Sequence, residues 1–579
     1  MAKKVPNFTV SSHKGSRNAF DLSQSHLFQA APGQLYPILS LDLIPDDVVD
    51  INVEDYVKSM PVVSSPLCSA RGVYEFFFVP YHQLWHNWDQ FITQMNDYRS
   101  SLFAQDNPPA QVPTYGKKKV VLDGAQREFF DLSPAYMAAI SKTDTGKDIF
   151  GFKALLGANT IYDFLGYGPF LNSIGQTTVG SVRWSQADYA VNLFRLGAYN
   201  KIYQDWYRKS SYETYDVHSF SLDDLGTSGP HPVIRYRNYG LDLLTNLRPS
   251  ASLNVNNQKV FDNIVPQMFG TDLNLYQSNT GGHFPEKSAY RGIPLNSNAI
   301  DGIAVGAAPD RPNPLSSLNV NSIRAAFALD KLSQLIGRAD KNYKAQMKAV
   351  YGVDVTEGRD GKAIFIGGFS SDIAFGEVDN TNGESYASSR YSTYGKVFGN
   401  GNGHVKFKSP EFGVLMCIYS IIPFAPYDSM YVDRFNTKHS YSDYFNPLYQ
   451  RLGLQPLYTY QITTDVTPTP DGSVMSSALG WQPRYSEYKA AVDRNHGGFN
   501  SWDSLSSFTA SRSKIVSDET TEAYLQNLTL KDFKISPNIF DSVFAAHFNG
   551  TQSTMPFYNK CSFSIVKVST MDVDSLPLI

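Results

Sequence analysis

The stretch FFFVPYHQLWHNWDQF at residues 76–91 constrains the fold more than any other part of the chain. Residues 73–79 contain one polar residue, Glu75, and therefore predict a strand that is covered on both faces. After Pro80 the apolar residues recur at spacings of three and four, which predicts an amphipathic helix. Its apolar stripe comprises Leu84, Trp85, Trp88, Phe91, Ile92, Met95 and Tyr98. Both elements require a large core.

The length of 579 residues exceeds the roughly 250 to 300 at which a single core usually stops growing. We expect one domain with large insertions, because no linker is followed by a fresh pattern and no fixed-period repeat is present. Charged residues make up 18% and aromatic residues 14% of the chain. This balance favours surfaces that are buried against neighbouring molecules.

The net charge of -4 bears on nucleic-acid binding. A chain that neutralised a packaged genome alone would need a strongly basic domain or arm, so a basic helper protein is expected. The three cysteines, Cys68, Cys417 and Cys561, are scattered in apolar contexts and predict buried free thiols in a reducing compartment. No signal peptide or membrane-spanning run is recognisable, so we expect a soluble protein without membrane insertion.

Strand patterns dominate. Residues 39–43 and 561–565 alternate between apolar and polar, which predicts strands with one wet face, whereas 363–367 and 414–422 predict buried strands. Sheets that are at least partly antiparallel are expected.

Two longer helices are predicted. One follows a capping box formed by Ser185 and Asp188, with Gly197 weakening its middle, and the other begins after Asn321 and can end at Gly352.

Two segments have the composition of surface loops: residues 249–314, and residues 379–403 with the run GNGNG, which predicts a mobile connection. Short strands, long loops and few helices indicate a mainly β protein of the jelly-roll sandwich type.

Catalytic and metal motifs are weak. His82 and His86 have a metal-binding spacing on a predicted helix, but Gln83 stands where a zinc protease requires Glu, so an interface or structural role is favoured. The pairs Asp46-Asp47 and Asp223-Asp224 are interpreted as solvated turns. We therefore expect no catalytic site, no metal and no cofactor.

The densest basic cluster is Lys117, Lys118 and Lys119, close to Arg127. A solvated loop is one interpretation. The alternative is sequence-independent contact with genome phosphates, which would be sensitive to salt.

Residues 76–91 and four further segments, in the same order, resemble the major capsid proteins of microviruses, the small icosahedral phages with single-stranded DNA. The similarity is strongest to the gokushovirus-like branch. The four segments are NAFDLS at 18–23, LGAYNKIYQDWYR at 196–208, SIRAAFALDKLSQLI at 322–336 and GWQPRYSEYK at 480–489. The resemblance implies an eight-stranded jelly roll, a T=1 icosahedral shell around circular single-stranded DNA, and a small basic DNA-associated virion protein as partner.

These expectations combine into one hypothesis, a capsid protein of the virion that is made and assembled in the bacterial host cytoplasm. Residues 1–240 and 315–579 would form the jelly-roll core. Residues 241–314 would form a variable surface insertion that binds a host-surface receptor, and the resemblance implies that it builds a protrusion at the threefold axes. Core or interface candidates are Phe76, Phe77, Phe78, Trp85, Trp88, Trp206 and Trp481. In the insertion, Phe261, Ile264 and Phe269 would pack against symmetry copies.

Two alternatives come from other classes of protein. A receptor-binding spike or fibre would share the β content and the aromatic residues, and a sandwich-fold carbohydrate-active enzyme would share the fold class. No pair of carboxylates can be nominated for such an enzyme.

Overall fold

The structure is a computed structural model, and it describes the chain in segments. The described residues are 17–59, 67–93, 112–115, 119–122, 125–128, 161–167, 191–210, 212–223, 234–248, 275–277, 303–305, 343–353, 361–376, 396–428, 432–452, 454–462, 478–499, 505, 508–512, 534–537, 539–540, 542–544 and 555–573. The chain divides into two compact units, Met1–Leu247 with Gly361–Ile579, and Arg248–Asp360. The assignment of residues 241–314 to a surface insertion stays a prediction.

The first unit contains the main sheet. Its strands are β1 (Asn18–Asp21), β2 (Gln24–Ala30), β3 (Tyr36–Leu43), β4 (Val48–Ser59), β5 (Ser69–Pro80), β12 (Ile364–Gly376), β13 (Lys396–Lys408), β14 (Gly413–Phe424) and β19 (Phe557–Ser569). They pair in the order β1-β19-β4-β13-β12-β5-β14-β3, while β2 also pairs with β19. All these pairs are antiparallel.

Short strands form two-stranded pairs outside this sheet. They are β6 (Thr114–Tyr115), β7 (Lys119–Leu122), β8 (Ala125–Glu128), β9 (Val191–Asn192), β10 (Leu275–Gln277), β11 (Ile303–Val305), β15 (Tyr427–Asp428), β16 (Leu454–Tyr458), β17 (Ala478–Pro483) and β18 (Arg494–Asn495). The α-helices within the described segments are α1 (Trp88–Thr93), α2 (Ile161–Phe164), α3 (Phe194–Ile202) and α4 (Tyr343–Tyr351). The described part of the chain is therefore mainly β with few helices.

Apolar patterning explains the best-formed strands. The continuous apolar run in β14 is buried along nearly its whole length, as predicted for residues 414–422. In β19 the alternation is also confirmed, since Cys561, Phe563 and Ile565 point into the core. The strand predicted at 363–367 is present as the start of β12, but its predicted burial was wrong, because Phe365 is 43% exposed.

The GNGNG run is the clearest correction. Residues 396–403 lie in β13, which pairs with β4 along its length, and not in a mobile connection; 379–395 lie outside the described residues. A Cβ atom at Gly403 would overlap the ring of Phe369, and one at Gly401 would overlap Ser371. The glycines therefore leave space for side chains of the neighbouring strand β12, a role that loop-like composition hides.

The two ends of the sheet pack face to face. Tyr419 on β14 donates a hydrogen bond of 3.0 Å to the Oδ1 of Asn559 on β19, although several strands separate β14 from β19 in the pairing order. Phe28 on β2 packs against the same Tyr419 ring with its centroid 5.4 Å away. Such contacts fit a β-sandwich of the viral capsid type.

The aromatic helix predicted after Pro80 is interrupted. A 3₁₀ turn at Tyr81–Gln83 precedes α1, and no α-helix forms across 84–87. The reason is a competing segment: Leu222 N donates to Leu84 O at 2.8 Å, and His86 N donates to Asp223 Oδ1 at 2.8 Å. The Leu84 carbonyl and the His86 amide therefore do not make the hydrogen bonds of an α-helix. Met95 and Tyr98 lie outside the described residues.

The other two predicted helices are present in part. α3 contains Gly197, where a Cβ would press on the Phe220 carbonyl oxygen, so glycine permits this close approach. α4 ends at Tyr351, and Gly352 follows it with φ of +69°, which confirms the predicted glycine stop. The capping residues Ser185 and Asp188, and residues 322–342, lie outside the described segments.

Candidate assembly surfaces

The strand β5 places three phenylalanines in the core. Phe76, Phe77 and Phe78 are at most 1% exposed. Phe77 packs against Phe365 and Tyr207, with ring centroids at 5.4 and 5.9 Å. Both faces of the strand are covered, as its sequence predicted.

Trp85 and Trp88 lie beside this strand in the core. They are 5% and 8% exposed. Phe194 contacts both indole rings, and Tyr81 approaches Trp88 with a centroid distance of 4.6 Å. In the single chain these tryptophans are core residues.

Trp206 differs, because it reaches the surface. It lies on a π-helical turn, Tyr203–Tyr207, that continues α3, and its side chain is about half exposed. Its Nε1 donates to Ala363 O at 2.9 Å, and its ring contacts Phe365 at 5.5 Å. We call this pair, Trp206 and Phe365, the Trp206 patch; it is an exposed aromatic surface fixed directly on Phe77 of the core.

A buried ion pair supports the same turn. Lys201 Nζ lies 2.9 Å from Asp205 Oδ2, and both side chains are nearly inaccessible. Lys201 also donates to Gly361 O at 2.6 Å, while Asp205 accepts from Ala363 N at 2.9 Å. Helix α3 is thereby tied to the residues that lead into β12. A buried pair with this many hydrogen bonds fixes geometry more than it adds stability.

A second aromatic surface lies on a region formed by residues 432–452, 454–462 and 478–499, which we call the aromatic lobe. The short strands β16 and β17 pair within it. Its exposed large apolar side chains are Val432, Phe435, Tyr441, Tyr444, Phe445, Leu448 and Tyr488, of which all but Val432 are near half exposed or more. The rings of Phe435 and Tyr488 lie 5.0 Å apart, and Phe445 contacts both Tyr485 and Tyr488.

Lys438 organises this surface from below. Its Nζ lies 4.0 Å from the centre of the Tyr488 ring and 4.5 Å from that of Phe435. The same Nζ is 2.7 Å from Glu487 Oε1, and both side chains are almost fully buried. Burial alone would raise the pKa of Glu487, but hydrogen bonds from Lys438 and Gln455 outweigh it and lower that pKa below its usual value.

The remaining candidate residues are scattered. Trp481 is half-buried on β17. Lys119 and Arg127 lie on the paired strands β7 and β8, where Arg127 is opposite Val120. Lys117, Lys118, Phe261, Ile264 and Phe269 lie outside the described residues. The proposed roles of these residues stay predictions.

The weak metal and carboxylate candidates have structural partners. His82 Nδ1 lies 2.8 Å from Glu411 Oε2. Asp47 was interpreted as part of a solvated turn, but it is fully buried and lies 2.9 Å from Lys567 Nζ, so that interpretation was wrong. Among the described residues, no group of His, Cys, Asp and Glu is arranged to hold a metal ion.

The cysteines are free, and Cys417 and Cys561 are buried, as predicted. Burial raises the pKa of Cys561 to about 12. Cys68 is partly buried. Within the described residues no helix has the length and apolarity to cross a membrane.

Sequence reasoning named Trp206 and Trp481 as core or interface candidates, but it missed the exposed rings of the aromatic lobe. The available signal was the spacing of aromatic residues in YVDRFNTKHSYSDYFNPLY at 431–449, which contains few apolar residues besides its rings. Aromatic side chains without a helical or strand period indicate a surface contact more than a core.

Comparison with known proteins identifies the family of this chain. The profile of the family described as capsid protein (F protein) matches residues 9–116 and 249–567, which is most of the chain. The capsid protein VP1 of Chlamydia phage 1 is 22% identical over 94% of this chain and 94% of its own length. The capsid protein VP1 of Bdellovibrio phage phiMH2K is 22% identical over 81% of this chain and 79% of its own. The chain therefore belongs to the capsid protein (F protein) family and is a major capsid protein of the microvirus type.

Proposed function

We propose that copies of this chain close into a T=1 icosahedral shell around circular single-stranded DNA, in a structural and not a catalytic role. Membership of the capsid family carries this proposal, since a capsid protein acts by repeated contacts between subunits. The low charge and the two exposed aromatic surfaces support it, because aromatic residues are enriched and most charged residues depleted in the cores of protein interfaces. Electron microscopy of the purified chain tests the shell.

A separate small basic protein is proposed to accompany the genome. With a net charge of -4, the chain has no surplus of cations to neutralise packaged phosphates. We place Lys117, Lys118, Lys119 and Arg127 at the inner surface as supplementary phosphate-binding residues. Replacing the three lysines with glutamine should lower the slope of log affinity against log salt for a single-stranded oligonucleotide by about 0.7 for each phosphate that is no longer neutralised. An unchanged slope would remove these lysines from the genome-binding surface.

Host attachment is proposed for residues 241–314, which would stand on the outer surface as protrusions. The support is their composition, rich in Asn, Ser, Gly and Pro, which suits exposed turns. Deleting residues 278–308 should leave shells intact and reduce attachment to host cells. Failure to assemble, or attachment at the level of the full-length chain, would contradict this role.

A further inference from the structure

The exposed surface of the aromatic lobe has no covering element in the part of the chain that the structure describes. Leu448 is 80% exposed and Tyr441 is 74% exposed, and four further aromatic side chains of the lobe are about half exposed. Large aromatic side chains bury about 150 to 250 Å² each, so at these exposures the five rings offer roughly 400 to 700 Å², to which Leu448 adds. This approaches the roughly 800 Å² that each partner contributes to a standard protein interface.

We infer that this surface, centred on Phe445, Leu448 and Tyr488, binds a second copy of the same chain. The inference rests on the proposed shell, in which every subunit must contact copies of itself. It goes further by assigning one contact to named residues.

Charge favours a protein partner over nucleic acid. The buried cation under the rings, Lys438, is paired with Glu487 at 2.7 Å, and Arg494 is paired with Asp433 at 2.7 Å.

Two further cations of the lobe have no carboxylate partner among the described residues, but each donates to the lobe's own backbone: Arg484 to Ser442 O at 3.0 Å and Lys489 to Arg484 O at 3.1 Å. The named cations are therefore engaged within the lobe, by carboxylates or by carbonyl oxygens. A surface built to bind the DNA backbone would instead present unpaired cations beside its stacking rings.

The surface is also held in place before binding. The Lys438 ammonium contacts the rings of Phe435, Tyr444 and Tyr488 while lying below them, and Glu487 is further fixed by Gln455 Nε2 at 2.7 Å. Side chains that are already ordered lose less entropy when a partner binds, which favours association. The buried pair of Lys438 and Glu487 therefore holds the exposed rings in place for a rigid contact.

Leu448→Arg tests the assignment, because the side chain is so exposed that the change should leave folding intact. Leu27→Arg on β2 is the matched control, since Leu27 is 83% exposed and lies outside the lobe. We expect Leu448→Arg to raise the concentration for half-maximal assembly at least tenfold in sedimentation velocity. Leu27→Arg should shift it less than twofold, and all three chains should have the same circular dichroism and thermal midpoint.

The outcomes separate the contact from the shell. If the unmodified chain assembles and Leu448→Arg assembles equally well, the contact is overturned and the shell stands. If Leu448→Arg assembles normally and Tyr488→Ala, which removes a half-exposed stacking ring without adding charge, loses affinity for a fluorescent single-stranded oligonucleotide, the surface binds genome and the inference is wrong. If the unmodified chain forms no shells, dimers that Leu448→Arg abolishes would still support the contact. A strict monomer would refute both.

Discussion

Tyr74 on β5 donates a hydrogen bond of 2.7 Å to Asp55 on β4, although β12 and β13 separate these two strands in the sheet. Asp55 is 2% exposed, and its Oδ2 also accepts from Ser371 at 3.0 Å. A carboxylate therefore lies between the packed faces of the sheet, with two hydroxyl groups and the Gly401 backbone, but no cation, as its hydrogen-bond donors. Burial raises the pKa of Asp55, and the hydrogen bonds from Tyr74, Ser371 and Gly401 only partly offset this effect.

This raised pKa predicts how stability depends on pH. The unfolded chain ionises Asp55 near its ordinary value of 3.8, while the folded chain holds the proton to a higher pH. Stability is therefore lost as pH rises from 3.8 through the folded pKa. The total loss is about 1.4 kcal/mol for each unit by which folding raises the pKa of Asp55.

Asp55→Asn should remove this loss, because an amide keeps an acceptor for Tyr74 and carries no charge. We expect its thermal midpoint to exceed that of the natural chain at pH 7 and to match it near pH 3.5. Asp55→Ala, which leaves the Tyr74 hydroxyl unpaired, should be destabilised by about 1–3 kcal/mol. If the natural chain is more stable than Asp55→Asn at pH 7, the buried charge is favourable and the prediction is contradicted.

Gly403 should be intolerant of a side chain. Gly403→Ala places a methyl group into the Phe369 ring, and overpacking of this kind costs about 1–3 kcal/mol. Gly367→Ala in β12 is the matched control, because nothing lies within 4 Å of its Cβ position. Urea unfolding of both variants checks the difference. Equal midpoints would mean that β13 does not pack against β12 as described.

The buried pair of Lys201 and Asp205 should show strong coupling. Lys201→Met leaves a buried carboxylate without its cation and should cost about 3–5 kcal/mol. Asp205→Asn retains an acceptor for Ala363 N, so the double variant should be more stable than Lys201→Met alone. A double-mutant cycle by chemical denaturation measures this coupling. Purely additive effects would contradict a direct interaction.

Local patterns predicted the parts of the fold that depend on nearby residues. The residues of β5 and β19 alone predict which of their side chains are buried, through an apolar run in β5 and an alternation in β19. The helix expected after Pro80 is reduced to α1 because Leu222 and Asp223, more than a hundred residues away, bind the backbone of residues 84–86. The strand role of the GNGNG run depends on Phe369 of a neighbouring strand, which composition does not reveal.

The same limit explains the candidate surfaces. Trp206 is recognisable in sequence as a large aromatic residue, but its exposure depends on the π-helical turn and on the hydrogen bond to Ala363. The aromatic lobe combines Phe435 with Tyr488, which meet only because the chain folds back between them. A surface built from distant segments of the chain can be recognised only in the three-dimensional structure.

Imaging of the purified chain by electron microscopy, alone and with the small basic virion protein, tests the central proposal most directly. A capsid subunit that associates through fixed aromatic surfaces should form closed particles of a single diameter with T=1 icosahedral symmetry. A chain that stays monomeric at all concentrations in both conditions, or forms only open aggregates of mixed size, would contradict the proposed shell.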